Sequence, residues 1–208
     1  MACSSGKVAG AFIFVAVAQF VLGLIVSEAL YSGYSTSGNY ISDLGVGPSS
    51  IIFNSSVFLL GLMLIIGTYF LQRALREYKA LISMLILTSI GAMGVGVFTE
   101  DFGIIHGVAS LITFLFGGLS AIFSVICSRT HKTKLLKMPF SFITVILGVM
   151  CLGALVLFIG KIDLGLGVGG MERMIVYPIL MWGAGFGCYL MAYSEERKKE
   201  RTTEQETQ

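Results

Sequence analysis

Six apolar stretches, each long enough to cross a bilayer, alternate with polar connections along this chain, at about residues 8–30, 50–72, 80–98, 103–127, 139–160 and 172–193. A hydrocarbon core about 30 Å thick takes roughly 20 apolar residues in helical form. Inside it every backbone N–H and C=O must be satisfied by the segment itself, which for runs of this length means a helix. The sequence therefore predicts an all-α polytopic membrane protein, a bundle of six transmembrane helices forming one domain over residues 1–193. Composition agrees: 12% of the residues are charged, against about 25% in a soluble domain, and the mean hydropathy is +0.86. The remaining segment, 194–208, is polar and highly charged. With no apolar residue to bury, it is expected to be disordered or a frayed helix end in the cytoplasm.

The bases divide unequally between the two sides of this pattern. Lys7, Arg73, Arg76, Lys79, Arg129, Lys132, Lys134, Lys137, Arg197, Lys198, Lys199 and Arg201 fall on one side, and only Lys161 and Arg173 on the other. Such a bias orients helices with the basic loops inside, so both termini are expected in the cytoplasm of a cell membrane. The outward side then carries Glu28, Asp43, Glu100, Asp101, Asp163, Glu172 and His106. A dense basic face, which phosphate neutralisation requires, is missing, so nucleic acid is not an expected partner. Cys3, Cys127, Cys151 and Cys188 form no CxxC pair. Three lie toward the cytoplasm and Cys151 lies within the bilayer, so they read as packing residues rather than disulfide partners. The first apolar run, although preceded by Lys7, is too long for a signal-peptide core and is expected to stay as the first span.

The outward connections are of a different kind from the short basic ones. Residues 31–49 form the longest loop, rich in Ser, Gly and Tyr; 99–102 is a tight turn; 161–171 is rich in glycine. Each brings an acid and a glycine together (Asp43 with Gly45, Asp101 with Gly103, Asp163 with Gly165), which ordinary turn chemistry explains as well as internal repetition does. Within the spans, small and weakly polar residues mark the packing faces. Helix four carries His106, Ser110, Thr113, Gly117, Ser120 and Ser124 in one stripe. Gln19 and Asn54 stand out further, because an amide in hydrocarbon needs partners.

Ionisable residues at a membrane boundary are costly and mark candidate sites. Here they are Glu28, Asp43, Glu100, Asp101, His106, Glu172 and Arg173, of which Asp101 and Glu172 also suit the positive ends of helix dipoles. Carboxylates with one histidine could hold a divalent cation and activate water, with Glu100, Asp101 and His106 as the candidate ligands. A three-histidine zinc site is excluded, since the other histidine, His131, lies on the opposite side. A Ser-His-Asp hydrolase would draw on Ser42, Ser50 or Ser110 with His106, though no GxSxG elbow is present. The run Gly165–Gly170 ahead of helix six offers N–H groups to an anion, but reads first as a flexible turn.

Three short segments carry a resemblance. Ser42-Asp43-Leu44-Gly45 before helix two, Glu100-Asp101 with His106 leading helix four, and Gly169-Gly170-Met171-Glu172-Arg173 opening helix six resemble the signatures of the prokaryotic six-helix family catalogued as domain of unknown function nine-nine-eight, which is distantly DRAM-like. The resemblance covers about residues 8–193. It implies a six-helix fold, a bacterial or archaeal plasma membrane, and Asp43, Glu100, Asp101, His106, Glu172 and Arg173 as shared positions, but no settled activity. Three functions follow as expectations. The leading one is an outward-facing polar pocket that binds or moves a small polar ligand or lipid headgroup, using Arg173, Glu172, His106, Asp43 and Asn54. In it Arg173 contacts an anion, and His106 and Glu100 handle a proton or hold a cation. The second is a membrane-embedded hydrolase using carboxylates and His106. The third is a structural or regulatory protein without turnover.

Overall fold

A computed structural model describes the backbone of residues 2–131 and 134–206, with side chains described over 4–131 and 134–198. Among the described residues all regular structure is helical. The elements are α1 (Ala2–Leu30), α2 (Ser50–Ala74), α3 (Lys79–Val97), α4 (Ile104–Thr130), α5 (Phe140–Ile159) and α6 (Gly167–Glu206), with two 3-10 turns, Ser42–Gly45 and Glu100–Phe102. Six helices are long and apolar enough to cross a membrane, and their windows of highest hydropathy are less than half buried within the bundle. The remaining apolar surface suits contact with lipid.

The helices close into a ring in chain order. Each packs on its sequence neighbours, and α6 returns to pack on α1. Short connections make antiparallel neighbours of consecutive helices, so the chain alternates between two ends. One end, here the acidic end, carries the segments 31–49, 98–103 and 160–166. The other, the basic end, carries the chain termini and the connections after α2 and α4. Glycines set the closeness of the α1–α6 seam. A Cβ on Gly10 would lie 2.4 Å from the Gly187 oxygen, and one on Gly187 would lie 2.7 Å from the Gly10 oxygen. Backbone meets backbone there, the means by which membrane helices gain dispersion contact where lipid supplies no hydrophobic drive.

α4 also touches α6 directly, through Ile179 against Gly117. That contact keeps α5 on the outside of the ring. At the basic end a continuous core of Leu71, Leu75, Tyr78, Leu81, Leu135 and Leu190 fills the interior.

The observed elements depart from the expected spans at two points. α6 begins at Gly167, ahead of Glu172, and it runs through the polar segment to Glu206, where the sequence suggests disorder or a frayed end. Glu, Lys, Arg and Gln are good helix formers and extend a helix already nucleated in the bundle. An exposed pair, Lys7 Nζ to Glu195 Oε1 at 2.6 Å, ties α1 to this extension.

Candidate functional site

Ring closure leaves an elongated cavity of about 100 Å³ inside the bundle, walled by α1, α2, α3, α4, α6 and the 42–45 turn. Most of its wall is aliphatic or aromatic, from Phe53 and Val57 near the acidic end to Leu85, Trp182 and Phe186 deeper in. Polar groups gather at the acidic end: Ser42, His106, Ser110 and Glu172, with Thr113 and Thr88 below them. The outward-facing polar pocket expected from the sequence is therefore an apolar cavity with a polar head. Below Gly117 the polar stripe of α4 leaves the cavity. Ser120 and Ser124 are buried and donate to carbonyls of their own helix, at 2.8 Å to Phe116 and 2.6 Å to Ala121. The core at the basic end then seals the interior, so among the described residues the stripe forms no polar path between the two ends.

His106 sits in the first turn of α4, brought inward by the tight turn at Gly103, whose φ of +53° favours glycine. The His106 Nδ1 lies 2.7 Å from the Phe98 carbonyl oxygen. A carbonyl only accepts, so Nδ1 carries the hydrogen, and in the neutral ring Nε2 is an acceptor. The Ser110 hydroxyl meets Nε2 at 3.3 Å. Across the cavity, Glu172 is buried at 6% exposure, and its Oε2 accepts the Ile41 N–H at 2.5 Å.

Glu172 thereby holds one point of the 31–49 segment, which folds over the acidic end as a cap. Arg173 holds several more. One terminal nitrogen donates to the carbonyl oxygens of Thr36 at 2.8 Å, Gly169 at 3.0 Å and Asn39 at 3.4 Å. The other donates to Glu28 Oε1 at 2.5 Å and to the Tyr34 hydroxyl at 2.8 Å. The Tyr34 hydroxyl in turn donates to the Tyr40 carbonyl at 2.9 Å, and burial pushes this phenol up to about 12. The planar guanidinium is suited to such a fork of acceptors. The terminal N–H groups of Arg173 are thus engaged by the protein, and its buried Nε has no partner.

The glycine run before α6 serves the same cap. A Cβ on Gly169 would lie 1.9 Å from the Asn39 oxygen, and the Gly169 N–H donates to the Ser37 carbonyl at 2.9 Å. Only a glycine lets the loop lie this close to the helix. Close approach explains Gly169 where the sequence suggests a flexible turn.

Asp43 and Glu100 join the cap to the α3–α4 hairpin. Asp43 Oδ2 accepts from the Asn39 amide at 2.8 Å and the Tyr40 N–H at 3.0 Å. Glu100 is within hydrogen-bonding reach of Asp43 and Ser42. Burial, and then the hydrogen bond and charge of Asp43, push the Glu100 carboxyl up to about 7.

Other sequence candidates fall outside this assembly. Asp101 is exposed. Among the described residues no three His, Cys, Asp or Glu converge so as to hold a metal ion, so Glu100, Asp101 and His106 are not assembled as a cation site; the His106 ring nitrogens face a carbonyl and a hydroxyl instead. Asn54 donates to the Gly45 carbonyl at 2.8 Å and is not part of the cavity wall. Gln19 donates to the Ala16 and Ser56 carbonyls at 3.0 and 2.9 Å, tying α1 to α2. The asparagine and glutamine that stand out in the sequence are joints between elements.

Trp182 and Tyr34 are the residues sequence reading did not single out. Trp182 is the chain's one tryptophan, which could have marked it. Tyr34 belongs to the 31–49 loop, in which the sequence draws attention to Ser42, Asp43 and Gly45 instead.

No curated protein and no solved structure matches the chain. A family model described as "Protein of unknown function (DUF998)" matches residues 14–189, from near the middle of α1 into α6 and through nearly all of the cavity wall and its cap, and the chain belongs to that family.

Proposed function

We propose that this is a prokaryotic cell-membrane protein, with both termini in the cytoplasm, that holds a single-chain amphiphile in its cavity. The polar head of the ligand meets Glu172, His106 and Ser42, and its chain lies along the apolar wall toward Trp182. The observation that carries this reading is the uneven lining: the ionisable and most polar groups gather at one end, and the rest of the wall is mostly hydrocarbon and aromatic. An apolar site with a few convergent polar groups is the usual form of a small-molecule site. The sealed basic end favours binding over conduction. Because Arg173 is occupied by the cap, the head meets a carboxyl and an imidazole rather than the guanidinium. That suits a hydroxyl or amine head better than a phosphate.

Native mass spectrometry of the gently solubilised protein tests the reading. Wild type is expected to retain an amphiphile that Ala92→Phe, which fills the cavity, does not. An adduct missing from both, or equal in both, overturns it.

One observation favours hydrolysis as a second reading: Ser110 Oγ and His106 Nε2 form a serine–histidine contact on the cavity wall. With the Phe98 carbonyl fixing the ring tautomer, His106 could take the Ser110 proton during attack on an ester. Against it, the backbone N–H groups around a mid-helix serine are spent within the helix, and Glu172 would repel a developing oxyanion. A fluorophosphonate probe that labels wild type but neither Ser110→Ala nor His106→Ala would establish this chemistry.

A further inference from the structure

The cap, held by Arg173, Glu172 and Gly169, lies over the polar head of the cavity, which raises the question of how a ligand enters. A groove of about 370 Å³ runs down the outside of the seam between α1 and α6, lined by Val21, Leu24, Ile25, Tyr177, Met181 and Ala184, with Glu28 at its acidic end. Val17 and Leu180 line both this groove and the internal cavity. These two side chains are the partition between the groove and the interior.

The seam is closed above and below this partition by different means. Toward the basic end, Gly10 and Gly187 bring the two backbones together. At the acidic end, Arg173 of α6 is bound to Glu28 of α1. Between the two clamps, α6 offers Gly183 opposite Val17: a Cβ there would lie 3.0 Å from Val17 Cγ2. The partition is thus a branched side chain resting on a glycine, beside one leucine. Groove and cavity therefore meet at two aliphatic side chains, Val17 and Leu180, rather than at a backbone contact. The groove is on the lipid-facing side, where Met181 is 63% and Ile25 56% exposed.

We infer that the Val17–Leu180 window is a lateral portal through which the chain of a single-chain amphiphile passes between the bilayer and the cavity. The occupant follows from where the groove lies: it is apolar along its length, within the membrane-spanning stretches of both helices, so hydrocarbon is what meets it. Its one carboxylate, Glu28, is at the boundary, where a head would remain. The inference rests on the cavity reading above and adds the direction of entry.

Trp182, the one tryptophan, lines the cavity and reports occupancy by quenching. Wild type reconstituted in phosphatidylcholine vesicles is mixed with 9,10-dibromooctadecan-1-ol, whose hydroxyl head suits the cavity, and Trp182 emission is followed in time. Ala184→Phe and Val21→Phe, each narrowing the groove while leaving the cavity lining unchanged, are expected to slow the quenching about tenfold, the effect of a barrier raised by about 1.4 kcal/mol. Ala92→Phe, which fills the cavity, should remove that quenching phase at all times. Tyr34→Phe, which loosens the cap, should leave the rate unchanged. Quenching at the wild-type rate in both groove variants, or acceleration by Tyr34→Phe alone, overturns the portal while leaving the cavity reading intact. No quenching of wild type beyond that of Ala92→Phe overturns both. Wild-type-like helical circular dichroism for at least one groove variant secures the comparison.

Discussion

Arg173 illustrates how a residue's type can be informative while its expected role changes. Its position beyond the basic side of the chain singles it out, and an anion contact is the natural expectation. The structure surrounds its terminal nitrogens with acceptors from α1, the cap and its own helix. Removing one partner of a partly buried ion pair leaves the other charge uncompensated, so Arg173→Met is expected to cost about 3 kcal/mol. Arg173→Lys keeps the charge but not the fork, and should recover only part of that loss. Thermal unfolding in detergent, with proteolysis within 31–49 as the local readout, checks both. Full recovery by lysine would mean that charge alone holds the cap. The sequence could not indicate this role, because four of the five acceptors around Arg173 belong to segments far from it along the chain.

The elements themselves were legible because the bilayer forces one solution on each apolar run. What joins them was less so. On α6, Gly183 and Gly187 stand four residues apart, and Gly6 and Gly10 do the same on α1; among so many glycines this spacing reads as nothing special until the two helices are seen to face each other. The α4 stripe was legible as an inward face, yet periodicity could not say that His106, Ser110, Thr113 and Gly117 meet a cavity while Ser120 and Ser124 meet solid packing. The cap is the element furthest from the sequence. Its one regular piece is the short turn Ser42–Gly45, and its shape comes from Glu172, Arg173 and Glu100 elsewhere in the chain. Glu100 makes the cap sensitive to pH. Its folded-state carboxyl is raised from 4.5 to about 7, so the folded protein favours the protonated form more than the unfolded chain does. Glu100 therefore contributes stability that is complete below the ordinary carboxyl range and lost as pH rises through about 7. Glu100→Gln, neutral at every pH, should lack this part of the decline, so its melting temperature should gain on wild type as pH rises. A constant difference between the two across that range would refute the assignment.

At the scale of the whole molecule, the two ends differ in charge and in what they close. The basic end is sealed by packed side chains, with Leu71, Tyr78, Leu81, Leu135 and Leu190 inside it. The acidic end is covered by a cap held by hydrogen bonds and charge. If the positive-inside bias governs insertion, the acidic end, with its cap and polar cavity head, faces outward, and the bases after α2 and α4 face the cytoplasm. Arg173 and Lys161 are far outnumbered by the bases of the other side and do not reverse this expectation. Single cysteines at Ser37 and Thr130, both exposed and at opposite ends, test the orientation in a variant with the four native cysteines replaced by alanine. A membrane-impermeant maleimide added to intact cells should label position 37 at once and position 130 only after permeabilisation. The reverse pattern would place the cap and cavity head in the cytoplasm, and a ligand would then be drawn from the inner leaflet. Labelling of both positions in intact cells would mean mixed insertion, in which the charge bias does not set the direction of the site.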